Sequence, residues 1–114
     1  MIAPLALVSN FYGNLPTVVE EMGIDSYFQT LVESAAEGIR KPAPRLFEIA
    51  LDRLGLQPQE TMVVGDSLKN DILPAHSLGC ATAWLQGEGW NNDQHEPPAE
   101  THVITSLDQL LQLA

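Results

Sequence analysis

The chain has 114 residues, 45% of them hydrophobic, which is enough for one domain with a buried core that needs no disulfide or metal to fold. Five basic residues stand against 15 acidic ones, and the net charge of −10 argues against nucleic acid or an anionic membrane surface as a partner. The single cysteine, Cys80, excludes an intramolecular disulfide and is typical of a reducing cytosol, so we expect a cytoplasmic protein.

The first half of the chain alternates strand and helix patterns. Short apolar runs that end in polar residues are typical of buried strands, while helical spacing with a proline near the start and a glycine after the end predicts a helix. These signals predict a strand over residues 5–8, a helix over 15–22, a strand over 30–32 and a helix over 44–54.

The second half continues the alternation. The same signals predict strands over 61–64, 81–85 and 102–104 and helices over 71–78 and 107–113, the last with Ser106 as its N-cap. Residues 86–100 are rich in Gly, Asn, Asp and Pro, which indicates a surface loop. Alternating strands and helices favour an α/β fold, so we expect one domain over 1–114, a three-layer α/β/α, Rossmann-like core with a parallel sheet.

Ser9 and Asn10 come directly after the first predicted strand. A hydroxyl and an amide at that position, beside the backbone N–H groups of a helix start, can hold phosphate oxygens. The alternative is that both residues form a turn or cap the next helix. From these two residues alone, both interpretations stand.

Lys41 precedes the helix predicted over 44–54, in a segment stiffened by Pro42 and Pro44. A stiff segment positions an ammonium group well, and lysine is a compact point charge that suits phosphate. A solvated lysine at a helix entry is the alternative. Two of the five cations of this acidic chain, Arg40 and Lys41, are adjacent here, which favours an anion site.

Asp66 and Asp71 follow the apolar strand predicted over 61–64 and a glycine, Gly65. A buried parallel strand delivers carboxylates to its carboxyl end in this way, and Mg²⁺ is bound through one or two carboxylates together with substrate phosphate. The alternative is that both aspartates cap the following helix. The pattern favours a metal-assisted phosphate site.

These three groups occur in a fixed order. Ser9-Asn10, then Arg40-Lys41-Pro42, then Gly65-Asp66-Ser67 with Asn70-Asp71, resemble the second, third and fourth motifs of the haloacid dehalogenase-like (HAD) hydrolase superfamily. The similarity runs from about Leu5 to Leu85, and Pro74 stands where a small residue such as glycine is more usual.

The resemblance implies a role for each residue of the three groups. Ser9 would bind the transferring phosphoryl group with the assistance of Asn10, and Lys41 would neutralise charge on that group and on the nucleophile. Asp66 would hold Mg²⁺ directly, and Asp71 would bind it or orient its water shell. Family members with this pattern are mostly Mg²⁺-dependent phosphatases of small phosphorylated metabolites, so we expect such a metabolite as the partner.

The nucleophile of the family does not occur in this sequence. Such hydrolases begin with a strand that ends in Asp-x-Asp, and its first carboxylate attacks phosphorus to form an aspartyl-phosphate. The 114 residues contain no Asp-x-Asp, and the helical cap that usually follows it is also missing. We therefore expect a truncated domain that lacks the first strand: the complete protein would be the phosphatase, and this chain alone would be inactive.

Two further expectations follow from the missing strand. A non-catalytic module that keeps the fold and binds through a partner is the alternative function. In the family the nucleophile strand lies between the strands that lead to Ser9 and Asp66, so these two would either pair directly or expose open edges. Because open edges invite pairing with another chain, a homodimer through the sheet edges is expected.

Overall fold

The computed structural model describes residues 4–11, 13–86 and 97–112. Its strands are β1 (Ala6–Ser9), β2 (Thr30–Glu33), β3 (Met62–Gly65), β4 (Ala81–Leu85) and β5 (His102–Ile104). Its α-helices are α1 (Leu15–Glu21), α2 (Ser34–Glu37), α3 (Arg45–Leu54) and α4 (Leu73–Leu78). Short 3₁₀ helices cover Asp25–Tyr27, Pro58–Glu60 and Leu107–Gln112, and a π-helical turn covers Leu68–Ile72. Within these residues no helix has the length and apolar character needed to cross a membrane.

The chain divides into two compact units, residues Met1–Leu56 and Gln57–Ala114. The first contains β1, β2 and α1 to α3, and the second contains β3 to β5 and α4. Each unit is an α/β structure in its own right. The prediction of one domain over 1–114 stays a prediction.

The first unit is built on the parallel pair β1–β2, with Ala6 opposite Thr30 and Ser9 opposite Glu33. Its core comprises the buried residues Val32, Leu46 and Ala50, with Ala6, Val8 and Ile49 packed against them. The apolar face of α3 supplies half of this core because its apolar residues recur at helical spacing. The helix ends at Gly55, whose φ of 70° is the left-handed conformation that glycine adopts without a steric cost.

The second unit is built on the parallel sheet β3–β4–β5, in the order of the sequence. Leu68 and Ile72 of the π-helical turn pack against Trp84 of β4, and all three are buried. Gly65, the last residue of β3, lies opposite Trp84. The turn that follows β3 is therefore held against the sheet by apolar contacts, which fixes the residues that lie within it.

The α/β class and the parallel pairing of the strands are confirmed, and the predicted elements differ from the structure mainly at their ends. Strands β1 and β3 each begin and end one residue later than predicted, and β2 ends one residue later. The helix predicted from residue 71 begins at Leu73, because a π-helical turn precedes it. The final helix is 3₁₀ rather than α over Leu107–Gln112. The loop predicted over 86–100 falls mostly on residues 87–96, outside the described residues.

Strands β1 and β3, which precede the two predicted parts of the site, lie in separate sheets. Among the described strands, β1 pairs only with β2 and β3 pairs only with β4. Of the two arrangements expected without the nucleophile strand, the described residues therefore adopt the one in which both strands leave an edge unpaired. An unpaired edge presents backbone N–H and C=O groups that can pair with a further strand.

Candidate functional site

Asn10 holds the main chain of Lys41 through both ends of its side-chain amide. Its Oδ1 accepts a hydrogen bond from the Lys41 N–H at 2.7 Å, and its Nδ2 donates to the Lys41 carbonyl oxygen at 3.2 Å. The peptide bond between Lys41 and Pro42 is cis. The two hydrogen bonds join the loop after β1 to the segment before α3. Asn10 is therefore a positioning residue for Lys41, and its predicted assistance to phosphate binding stays a prediction.

The ammonium group of Lys41 lies at the carboxyl end of β1. Its Nζ donates to the carbonyl oxygen of Val8 at 3.2 Å and lies 5.9 Å from the centre of the Phe47 ring. Because Val8 immediately precedes Ser9, the lysine and the serine predicted to bind phosphate occupy the same strand end. A cation and a hydroxyl in this arrangement can bind an anion by charge-assisted hydrogen bonds.

Glu33, at the end of β2, has a buried carboxylate that the sequence analysis missed. Its residue is 7% exposed, and its Oε2 accepts hydrogen bonds from the N–H groups of Gly13 and Leu15, each at 3.2 Å. The N–H of Gly13, before α1, and that of Leu15, the first residue of α1, therefore both donate to Glu33. The N-cap of α1 is Asn14, so neither Ser9 nor Asn10 caps this helix.

Ser34, the residue after Glu33, fixes the same loop from a second position. Its Oγ accepts a hydrogen bond from the Phe11 N–H at 3.0 Å and donates one to the Phe11 carbonyl oxygen at 3.2 Å. The only sequence signal for both residues was an acidic and a hydroxyl side chain directly after an apolar strand. Together they tie the loop after β1 to the carboxyl end of β2, and this loop directly follows Ser9.

Asp71 is buried beside the end of β3, where Gly65 makes room for it. A Cβ atom placed on Gly65 would lie 2.5 Å from the Asp71 Cβ and from its Oδ2. Asp71 is 6% exposed, and its Oδ2 accepts a long hydrogen bond of 3.4 Å from the Ser67 N–H. The carboxylate thus lies directly over the backbone of Gly65, which only glycine permits.

Asp66 is exposed, and its main chain is fixed by Trp84. The indole Nε1 of Trp84 donates to the Asp66 carbonyl oxygen at 3.1 Å. The capping role considered for the two aspartates belongs mainly to Ser67, whose Oγ accepts from the Asn70 N–H at 3.1 Å. Asp66 takes no part in this cap. Asp71 accepts the long bond from the Ser67 N–H.

The donor set at the end of β3 fits a hard cation such as Mg²⁺. Asp66 offers an exposed carboxylate, and the missing side chain of Gly65 opens space that the Asp71 carboxylate fills. In the part of the chain that the structure describes, no cluster of three or more His, Cys, Asp or Glu side chains occurs. Mg²⁺ suits a site of this kind, since it usually keeps several waters and takes only one or two carboxylates.

Cys80 lies outside these groups. Its side chain is buried at the start of β4, and burial raises the pKa of its thiol because the charged form is desolvated. A buried thiol of this kind packs as a small hydrophobe.

The parallel strands, with polar residues at their carboxyl ends, define a Rossmann-like α/β protein. A family model described as haloacid dehalogenase-like hydrolase matches residues 2–79, well over half of the chain. The chain belongs to the haloacid dehalogenase-like hydrolases, as the motif order predicted.

Two curated relatives match the chain at more than 30% identity, one a phosphatase and one a nucleotidase by name. The chain is 35% identical over 91 residues to the glyceraldehyde 3-phosphate phosphatase of Pyrococcus furiosus, a match that covers 79% of this chain and 38% of that protein. It is 34% identical over 113 residues to the pyrimidine 5′-nucleotidase YjjG of Escherichia coli, covering 97% of this chain and 49% of that protein. The chain thus spans less than half the length of either relative.

A solved structure supports the fold. The crystal structure of a HAD phosphatase from Thermococcus onnurineus matches with a TM-score of 0.81 and 25% identity. The match covers 96% of this chain and 49% of that one. The architecture of the described residues is therefore that of the family.

Proposed function

We propose that this chain supplies the phosphate-binding and metal-binding residues of a Mg²⁺-dependent phosphatase of small phosphorylated metabolites. The observation that carries the proposal is the placement of Lys41. Asn10 makes two hydrogen bonds to its main chain, and its ammonium group lies beside Ser9. A phosphatase needs a cation fixed in advance where negative charge develops on the transferring group. Membership of the family supports the same activity.

Each residue then has a defined task. The Ser9 hydroxyl donates a hydrogen bond to a phosphoryl oxygen, and the Lys41 ammonium group neutralises the charge that gathers on the same group. Asp66 and Asp71 would hold Mg²⁺, which supplies Lewis-acid stabilisation of a phosphoryl oxygen when bound. The buried Asp71 keeps its place through Gly65 and Ser67, while the exposed Asp66 is available to a cation and its waters.

The attacking carboxylate must come from outside residues 1–114. In the complete protein an upstream Asp would attack phosphorus in line, the bond from phosphorus to the ester oxygen would break so that the alcohol leaves, and water would then hydrolyse the aspartyl-phosphate to inorganic phosphate. Because removal of a covalent nucleophile costs on the order of 10⁶ in kcat, we expect no turnover from the 114-residue chain alone. Incubation of this chain with Mg²⁺ and a generic phosphomonoester should release no phosphate above the uncatalysed rate. Robust release that is lost in Asp66→Asn would contradict this part of the proposal.

Cation binding can be tested without any activity. Mn²⁺, used as a paramagnetic substitute for Mg²⁺, should broaden the amide NMR signals of residues 66–71 first, and excess Mg²⁺ should reverse the effect. We expect Asp66→Asn and Asp71→Asn to weaken cation binding at least tenfold. Asp52→Asn is the matched control, since Asp52 is an exposed aspartate on α3, 3.7 Å from Arg45. Equal cation affinity in wild type and Asp66→Asn would refute the assignment.

A second candidate is a non-catalytic module that binds phosphate and acts through a partner. The lack of Asp-x-Asp in the sequence favours it. The DNA upstream of the Met1 codon separates the two candidates. An in-frame strand ending in Asp-x-Asp supports the phosphatase, whereas a stop codon or unrelated sequence makes the binding module the better assignment.

We also propose that the chain forms a homodimer through its sheet edges. The edges of β1 and β3 that lack a partner among the described strands support this. Sedimentation at increasing concentration should show a dimer. A monomeric mass at every concentration would count against the dimer.

A further inference from the structure

A pocket of about 360 Å³ lies within the first unit, between the loop after β1 and the segment that joins β2 to α3. Asn10 and Phe11 line one side, and Ser34, Ile39 and Arg40 are among the residues that line the other. Small-molecule sites usually measure roughly 300–1,000 Å³, so this pocket has room for a ligand of a few carbon atoms. Of its lining residues, the proposed function uses only Asn10.

Two polar side chains of the pocket wall are already hydrogen-bonded. The Asn10 amide is engaged with the main chain of Lys41, and the Ser34 hydroxyl binds Phe11 in both directions. Their hydrogen bonds give the wall its shape. Phe11 and Ile39 add apolar surface to the pocket.

Arg40 differs from these side chains. Among the described residues no carboxylate or carbonyl group pairs with its guanidinium, whereas Arg53 lies 2.8 Å from the carboxylate of Glu37. Arg40 also precedes Lys41, whose ammonium group is held at the end of β1. Arg40 is an exposed residue that lines the pocket, and through Asn10 the pocket adjoins the position proposed for the phosphoryl group.

We propose that this pocket holds the leaving-group part of the substrate and that Arg40 binds a carboxylate there. The planar guanidinium matches a carboxylate with two parallel hydrogen bonds, a geometry that a neutral hydroxyl cannot provide. The substrate class is then a small phosphorylated carboxylic acid rather than a phosphorylated alcohol or sugar. This inference rests on the proposed function, because Ser9 and Lys41 must hold the phosphoryl end of the same molecule.

The test compares two ligands with the same carbon skeleton, 3-phosphoglycerate and glycerol 3-phosphate, which differ by a carboxylate in place of a hydroxymethyl group. Their dissociation constants are measured by NMR, with each ligand titrated into the 114-residue chain in the presence of Mg²⁺. We expect 3-phosphoglycerate to bind at least tenfold more tightly. Non-specific electrostatics would instead favour glycerol 3-phosphate, which lacks the carboxylate, because the chain carries a net charge of −10.

Arg40→Gln should lower the affinity for 3-phosphoglycerate to that for glycerol 3-phosphate. Arg45→Gln is the control, since Arg45 is an exposed arginine whose guanidinium faces Asp52, and it should leave the tenfold preference intact. Equal binding of the two ligands to the wild-type chain overturns the inference and leaves the proposed phosphate site standing. An equal loss for both ligands in Arg40→Gln also overturns it, since Arg40 would then act on the phosphate. Binding of neither ligand overturns both proposals.

Discussion

Replacement of Gly65 by alanine tests whether the end of β3 is shaped around the Asp71 carboxylate. The new Cβ would lie 2.5 Å from the Asp71 Cβ, and ordinary contacts of a Cβ begin near 3.4 Å, so the two residues must separate by about 0.9 Å. Gly65 cannot yield easily, because it is paired with Trp84 in the sheet. Asp71 cannot yield easily either, since it is a buried residue of the π-helical turn. We expect the clash to displace the carboxylate.

Overpacking of this kind typically costs about 1–3 kcal/mol, and we expect the upper half of that range because both partners are held. Urea denaturation followed by Trp fluorescence gives the free energy of unfolding. Mn²⁺ binding gives the second readout, because a displaced Asp71 should weaken cation affinity by about the same factor as Asp71→Asn. The variant should therefore lose stability and cation affinity together.

A double-mutant cycle with Asp71→Gly isolates the cause. If the clash with Asp71 is responsible, Gly65→Ala should cost little in the Asp71→Gly background, and the coupling energy should reach about 1–3 kcal/mol. A cost that is the same in both backgrounds would refute the reasoning, since the alanine would then disturb something other than Asp71.

Three other results are expected. Glu33→Ala should lower the free energy of unfolding by about 3 kcal/mol in urea denaturation, because the N–H groups of Gly13 and Leu15 lose a buried, charged acceptor. Glu33→Gln should cost clearly less, and equal losses for the two variants would contradict the capping role. Asn10→Ala should weaken binding of inorganic phosphate about tenfold by releasing the segment that carries Lys41, whereas Asn14→Ala, which loses no side-chain cap, should not. Burial raises the pKa of the Cys80 thiol, so the thiol contributes stability at pH values below the ordinary thiol pKa of roughly 8.5. This contribution is lost as the pH rises through the raised pKa. The free energy of unfolding should therefore fall in this pH range for the wild type but not for Cys80→Ala.

The sequence predicted the elements that depend on local patterns. The helix over α3 and the strand over β4 carry strong periodicity or a bounded apolar run, and both match the structure closely. The motif order identified the family because Ser9, Lys41 and Asp66 keep fixed places relative to these elements. Local patterns were therefore sufficient for the fold class and the family, and the roles of the candidate residues stay predictions.

Features that depend on contacts between distant residues were not predicted. Nothing in the sequence around Glu33 distinguishes it from an ordinary exposed glutamate. Its carboxylate is buried because it accepts hydrogen bonds from N–H groups 18 and 20 residues away. The hydrogen bonds between the Asn10 amide and the Lys41 main chain join residues that are 31 positions apart in the sequence. The π-helical turn after β3 also has no periodic signal, since Leu68 and Ile72 pack against Trp84 of a later strand. Each of these depends on the folded arrangement of a whole unit.

The parallel pairing of every described strand has a consequence for how fast the chain folds. Two parallel strands cannot be joined by a tight hairpin. Ala6 therefore pairs with Thr30, and Met62 with Ala81, only after a long crossover segment has closed. The entropy of closing these loops is lost before the contacts that compensate it are formed, and folding slows as the mean sequence separation of contacts grows. We infer that each unit crosses a barrier set by loop closure rather than by helix formation. Substitutions in the strand cores of β1–β2 and β3–β4 should then slow folding, while those in the short helices should mainly accelerate unfolding.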